Sequence, residues 1–248
     1  MEIGLIIVGD EILSGRRSDK HFANVVSLLA ERGLRLSWCQ ILADDVSQLT
    51  RAYRNALESG DIVFSCGGIG GTPDDLTRYA VAQASERALI PHAEGLNILR
   101  QQFKSSEITL ARQRMIEFPT GARLIPNPIN QVPGFSIDCI HCVPGFPKMA
   151  TPMIKWVLEN EYAHLENKPQ LEHAVRISGA RESDLIPLME FILEQCPEVK
   201  VFSLPRLKKK ECWVDLGVKG GNYESVDYAF QLLVKGLEEI DLHWQSIE

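Results

Sequence analysis

The stretch Cys66–Thr77, CGGIGGTPDDLT, decides how this chain is read. It follows the apolar run Ile62-Val63-Phe64 and precedes an apolar helical pattern that includes Leu76, Tyr79 and Ala80. A buried strand is expected to run into a glycine-rich loop, and the loop into a helix. Glycines allow positive φ and close approach of a ligand to the backbone. A strand-to-helix loop of this kind turns bare N–H groups and the positive end of a helix dipole toward an anion. Gly67, Gly68, Gly70 and Gly71 are therefore the candidate cradle for a phosphate, and Thr72 is a hydroxyl donor beside it. Asp74 and Asp75 would repel that phosphate unless a divalent cation lay between. The pairing points to a metal-assisted phosphate or pyrophosphate site. Two alternatives stay open: a glycine-rich turn that only closes a chain reversal, and Asp75 as a helix N-cap. The stretch is neither a Walker loop, since no Gly-Lys-Ser/Thr follows, nor the dinucleotide fingerprint GxGxxG.

On either side of this stretch, short apolar runs alternate with helical periodicity. Strands are expected at Ile3–Val8, Leu36–Leu42, Ile62–Ser65, Phe135–Ile137 and Ile140–Val143. Helices are expected at about His21–Glu31, Ser47–Glu58, Asp75–Ser85, Ala93–Phe103, Leu110–Glu117 and Lys148–Leu165. This rhythm predicts an α/β fold, a mostly parallel sheet with helices on both faces. Ligands bind such folds at the carboxyl ends of the strands. Three of those ends carry acidic or glycine-rich segments: Asp10-Glu11, Asp44-Asp45 and the Cys66 loop. Asp10, Glu11 and Asp44 join the candidate ligand contacts for that reason. Glu11 is read equally as a cap on its own loop, and Asp45 as the N-cap of the next helix.

The polar segment from Asn160 to Gln170 reads as a linker, which divides the chain into residues 1–165 and 171–248. Beyond it come a strand at His173–Ile177, a helix at Ser183–Gln195, a hairpin of Val199–Leu204 with Cys212–Val218, and a helix at Ser225–Leu237. That is a small α+β domain of βαββα order.

The chain has 248 residues, 45% of them hydrophobic, enough for a real core. Its formal net charge of −7 argues against a nucleic-acid footprint spread over the whole surface. Lys208-Lys209-Lys210 reads first as a solvated guard on a hairpin tip. The N-terminal apolar run ends at Asp10, too early for a secretory signal or a membrane span. Among six cysteines only Cys139 and Cys142 are close in sequence, and both are read as reduced strand residues. A cytoplasmic location follows from that reading.

With these residues in view, the first part of the chain resembles the MoaB/Mog molybdopterin-binding fold, and within it the CinA-like competence/damage-inducible proteins. GDEILSG (Gly9–Gly15), GGIGGTPDDLT (Gly67–Thr77), IPNPINQVPGF (Ile125–Phe135) and VPGFPKM (Val143–Met149) carry the resemblance, in the expected order. Two departures stand out: Gly71 occupies a position where proline is usual, and Ser18-Asp19-Lys20-His21 replaces an Asn-bearing segment. The chain is similar to the short form that lacks a deamidase-like C-terminal domain. The resemblance implies a small-molecule ligand, a molybdopterin or related pterin, or a nucleotide, bearing phosphate groups. It implies metal-dependent cleavage of a nucleotide pyrophosphate such as ADP-ribose, or else a non-catalytic binder whose small domain is an interaction module. Asp75 matches the position treated as essential in the family and is the candidate catalytic residue. Asp74 and Asp75 are the candidate ligands for Mg²⁺ or Mn²⁺. Pro144 and Gly145 would shape the pocket, or simply a strand-to-helix turn. A homo-oligomer, dimer or trimer, is implied as well.

Overall fold

A computed structural model describes residues 2–102, 108–165, 171–208, 211–240 and 242–247. Two compact units divide the chain, Met1–Glu166 and Asn167–Glu248. Lys209 and Lys210, the end of the Ala93 helix at Phe103, and the last part of the expected linker lie outside the described residues.

The first unit is built on β1 (Ile3–Val8), α1 (Asp10–Leu13), α2 (His21–Ala30), β2 (Trp38–Leu42), α3 (Val46–Ser59) and β3 (Ile62–Cys66). It continues through α4 (Thr77–Ala84), β4 (Leu89–Pro91), α5 (Ala93–Gln102), α6 (Leu110–Arg114), β5 (Glu117–Pro119) and β6 (Arg123–Ile125). It closes with β7 (Gly134–Ile137), β8 (Ile140–Val143) and α7 (Pro147–Asn160). The main sheet has six strands in the order β2-β1-β3-β8-β7-β6. The first four run parallel, and β7 and β6 are antiparallel additions. β4 and β5 form a separate two-stranded ribbon.

Alternation along each strand splits its side chains between two cores. On β1, Ile6 and Val8 enter one core with Leu49 and Tyr53 of α3 and Ala80 of α4. Ile3, Leu5 and Ile7 enter the other with Val25 and Leu29 of α2 and Met153 and Val157 of α7. β3 divides likewise, Val63 to the first core and Ile62, Phe64 and Cys66 to the second. Sequestered on both faces, β1 is apolar at every position except Gly4. That glycine is required, because a Cβ there would stand 2.1 Å from the Trp38 ring. Punctuation is chemical: Asp45 caps α3 by accepting from the Gln48 amide at 2.8 Å. Gly60 ends it in the left-handed region at φ 68°. Pro147 opens α7, where its missing N–H costs nothing.

The second unit contains β9 (Leu171–Ser178), α8 (Glu182–Gln195), β10 (Lys200–Lys208), β11 (Glu211–Gly220), α9 (Tyr223–Glu239) and β12 (Trp244–Ile247). Its antiparallel sheet runs β10-β11-β9-β12. This βαββαβ order corrects the expected βαββα: β12 pairs with β9 at the sheet edge. β12 was hidden because Trp244–Ile247 is short and half polar.

Several boundaries also move. α4 begins at Thr77 rather than Asp75, α6 stops at Arg114, and α7 ends at Asn160. Cys139 sits in the turn between β7 and β8, not on a strand, after Asp138 at φ 49°. The cysteines described are free thiols.

Candidate functional site

The order β2-β1-β3 means the chain reverses its direction of travel between β1 and β3. A crevice opens outside their carboxyl ends at such a point. Gly9 to Glu11 leave β1 there, Asp44 lies just beyond β2, the glycine loop leaves β3, and Pro144-Gly145 leave β8. Four strand ends thus bring together the segments singled out in the sequence.

Close packing explains the glycines. Gly67 has φ 111°, and a Cβ on it would stand 2.4 Å from the Val8 carbonyl oxygen. Gly68 has φ 67°, and its Cβ would meet Thr77 Oγ1. Gly70 and Gly71 have no positive φ; their space is filled instead. A Cβ on Gly70 would meet the Asp75 carboxylate at 2.4 Å, and one on Gly71 the Ala111 carbonyl of α6 at 2.4 Å. Gly145 lies against the Gly67 Cα, 3.3 Å from where a Cβ would stand. The departure at Gly71 is therefore tied to how tightly α6 sits on the loop.

Internal bonds hold the loop's shape. The Thr77 hydroxyl donates to the Gly67 carbonyl at 2.8 Å, and the Thr77 amide to the Gly68 carbonyl at 3.0 Å. Arg78, fully buried, donates to the Gly70 carbonyl at 2.7 Å and to the Arg114 carbonyl. Asp75 is not the N-cap of α4; Leu76 occupies that position without a side-chain bond. Instead the Asp75 carboxylate accepts from the Thr72 amide at 2.8 Å and the Thr72 hydroxyl at 2.5 Å. Thr72 therefore donates to Asp75 in this state.

Two recesses meet at this loop. One, about 370 Å³, is mostly apolar, with Ile69, Met115, Val132, Pro133, Phe146 and Met149 along its walls. The other, about 160 Å³, is polar and lined by Glu11, Arg17, Asp44, Asp74 and Asp75. They share Gly68, Asp75, Gly145 and Phe146. Pro144 and Thr72 line the apolar recess, and Gly67 the acidic one.

The acidic recess is electrically unbalanced. The Asp10 amide donates to the Asp44 carboxylate at 3.0 Å, and the Asp44 amide reaches Asp10 Oδ1 at 3.4 Å. Burial raises the Asp44 carboxyl above its ordinary value, and the charges of Asp10, Glu11 and Asp74 raise it further against that amide bond. Arg17 answers only in part, 3.9 Å from Glu11 and well exposed. Even so, the described residues contain no cluster of three side chains arranged to hold a metal ion.

The sequence pointed to the carboxylates and glycines, but not to Arg17 or to the apolar wall. Arg17 lies in a loop whose reach depends on folding. Met115, Val132 and Met149 carry the pattern of ordinary core residues. Phe146 was the accessible clue: a large aromatic between Gly145 and Pro147 ends up 57% exposed.

A crevice at the switch point of a mostly parallel α/β sheet, part apolar and part acidic, defines the class of protein. A family model described as the probable molybdopterin binding domain matches residues 4–185, and the chain belongs to that family. It is 35% identical over 193 residues to a CinA-like protein of Sulfurihydrogenibium, covering 75% of this chain and 48% of that one. The chain thus spans about half the length of that relative. A protein of Archaeoglobus fulgidus is 27% identical over 240 residues, covering 97% of this chain and 98% of its own. Among solved structures, CinA from Thermoplasma acidophilum, described as of unknown function, aligns with a TM-score of 0.59 at 28% identity. That alignment covers 64% of this chain and 96% of the other. None of the described helices is long and apolar enough to cross a membrane.

Proposed function

We propose that the first unit binds a phosphate-bearing nucleotide or pterin and cleaves a nucleotide pyrophosphate such as ADP-ribose. The observation that carries this is the junction of the two recesses on Asp75 and Gly68. A planar ring fits the apolar side, where Met115, Phe146 and Met149 supply contact area. The pyrophosphate then lies over Gly67–Thr72 and reaches the acidic side.

A divalent cation fits this reading as a companion of the substrate. Magnesium is usually held by one or two carboxylates plus substrate phosphates, with water completing its shell. The absence of a three-ligand cluster among the described residues, beside an uncompensated set of carboxylates, suits that mode. Asp74 and Asp75 would face the cation, which supplies charge neutralisation at the phosphate oxygens. Asp75 orients the attacking water once Thr72 turns its hydroxyl toward a phosphate oxygen. The water oxygen bonds to phosphorus, the bridging P–O bond breaks, and AMP and ribose 5-phosphate leave, with the water's proton released to solvent.

One observation favours the second reading, a binder without turnover: Thr72 holds the Asp75 carboxylate at 2.5 and 2.8 Å. If that tie persists with ligand present, Asp75 is a structural clasp. A dimer or trimer and a cytoplasmic location complete the proposal.

Purified protein incubated with ADP-ribose, with and without Mg²⁺ or Mn²⁺, tests the enzyme reading. Expected is metal-dependent release of AMP, lowered at least about 100-fold in Asp75→Asn, with ligand affinity changed far less. Binding with no turnover under any divalent cation would reject hydrolysis and leave the binder.

A further inference from the structure

The sheet of the second unit has one face that its own helices leave uncovered. Val175, Ile177, Val214, Leu216 and Val218 point toward α8 and α9 and form the core. The residues between them point the other way. Strand register places Lys200 of β10 directly opposite Lys219 of β11, and Arg206 opposite Trp213. Like charges directly opposite each other on a sheet are destabilising. An anion lying over Lys200 and Lys219 would remove that cost.

Two aromatic rings lie beneath cations on this face. Lys219 Nζ is 5.0 Å from the centre of the Phe202 ring, and the Arg176 guanidinium 4.9 Å from the Trp213 ring. Arg176 is held by two bonds to Asp215, at 2.7 and 3.0 Å. Asp215 is only 8% exposed, so its charge is spent on Arg176 and little is offered to solvent. The fixed guanidinium plane is itself a stacking surface. Among the described side chains, Lys200, Lys219 and Arg206 join Arg176 as cations on this face, against the carboxylates of Asp215 and of Glu172, which stands opposite Lys219. Leu204, 51% exposed, adds an apolar contact between them. A chain of net charge −7 thus places four cations and a fixed guanidinium plane on one sheet face.

We propose that this face binds single-stranded nucleic acid. Phosphates lie on Lys200, Lys219 and Arg206, and an unpaired base stacks on the outer face of the Arg176 guanidinium, whose other face lies on the Trp213 ring. The combination selects the occupant. An acidic peptide satisfies the cations but offers few rings. A duplex satisfies the cations but keeps its bases stacked inside, and a flat sheet face has nothing to enter a groove. Only a single strand presents phosphates and free π-faces together. None of these residues belongs to the crevice of the first unit, and the proposal does not depend on the chemistry proposed there.

Fluorescence anisotropy with a labelled 12-nucleotide single strand of mixed sequence, titrated with the full chain at 50 and 200 mM KCl, tests the proposal. Affinity on the order of micromolar is expected at the lower salt, falling with salt as phosphate contacts are screened. Lys200 and Arg206 are exposed, so the double variant K200E/R206E keeps the packing; circular dichroism checks this. It should weaken binding at least tenfold and reduce the salt slope by about 1.4, roughly 0.7 for each lost contact. Arg176→Lys, which keeps a cation but loses the guanidinium plane, should weaken binding about tenfold with the slope unchanged, through lost stacking. Four results would overturn the proposal: no anisotropy change at 50 mM KCl, equal binding of the matching duplex, binding that survives K200E/R206E, or competition by poly-glutamate as strong as by unlabelled single strand. The last would make the face a site for acidic protein.

Discussion

Asp44 shows how a single residue reports on the whole crevice. Its carboxyl is raised above the ordinary value because burial and three neighbouring carboxylates disfavour its charge. A carboxyl raised in the folded state binds more protons folded than unfolded just above its ordinary pKa. Stability contributed by this group therefore falls as pH rises from the acid limb toward neutrality. Asp44→Asn keeps an acceptor for the Asp10 amide and removes the repulsion. Thermal melts at pH 4 and pH 7.5 should show the variant gaining on the wild type at the higher pH. A gain that is equal at both values would mean the repulsion is not what Asn relieves. At this scale the sequence was informative where residue type carries chemistry. Glycine and aspartate at strand ends were legible because few structural roles use both. The clasp between Thr72 and Asp75 was not, since its geometry depends on Gly70 admitting the carboxylate at 2.4 Å.

Secondary elements were legible in proportion to length and periodicity. β1, β2 and β3 are largely apolar runs set apart by α2 and α3, and both helices show a clear inward stripe. β4, β5 and β6 are three-residue pieces with no period to read, and α1 is four residues long. Pairing, not propensity, created the three strands. The β7–β8 hairpin carries its own buried polar network. His141, fully buried on β8, bonds Ser136 of β7 through Nδ1 at 2.8 Å and the Tyr162 hydroxyl through Nε2 at 2.8 Å. Burial, with the Arg123 charge nearby, pulls its pKa down to about 3. The ring is neutral in the folded protein, so its 4.0 Å approach to Glu161 is not an ion pair. A histidine lowered on folding takes up its proton in the unfolded chain first. Stability should fall as pH drops from about 6.5 toward 3. His141→Gln retains donor and acceptor but does not titrate. Its denaturation midpoint should vary less across that window than the wild type's, even if it is lower throughout. An unchanged acid slope would show that other groups set the pH response.

The whole molecule joins a doubly covered α/β unit to a small βαββαβ unit, and the family match at residues 4–185 runs from β1 into α8. The sheet order at the switch point was not readable from any single motif; strands alternating with helices indicated only a mostly parallel sheet covered on both faces. The apolar wall was not readable, because residues that line a pocket and residues that fill a core have the same composition. The proposed ligand places its ring and its phosphates in one crevice at the strand ends. Hydrogen–deuterium exchange with ADP-ribose and Mg²⁺, against Mg²⁺ alone, tests this placement most directly. Slowed exchange is predicted together in residues 66–77, 130–133 and 144–149, with the peptide over 10–17 following on the acidic side. No change in these segments, or protection centred elsewhere in the chain, would contradict it.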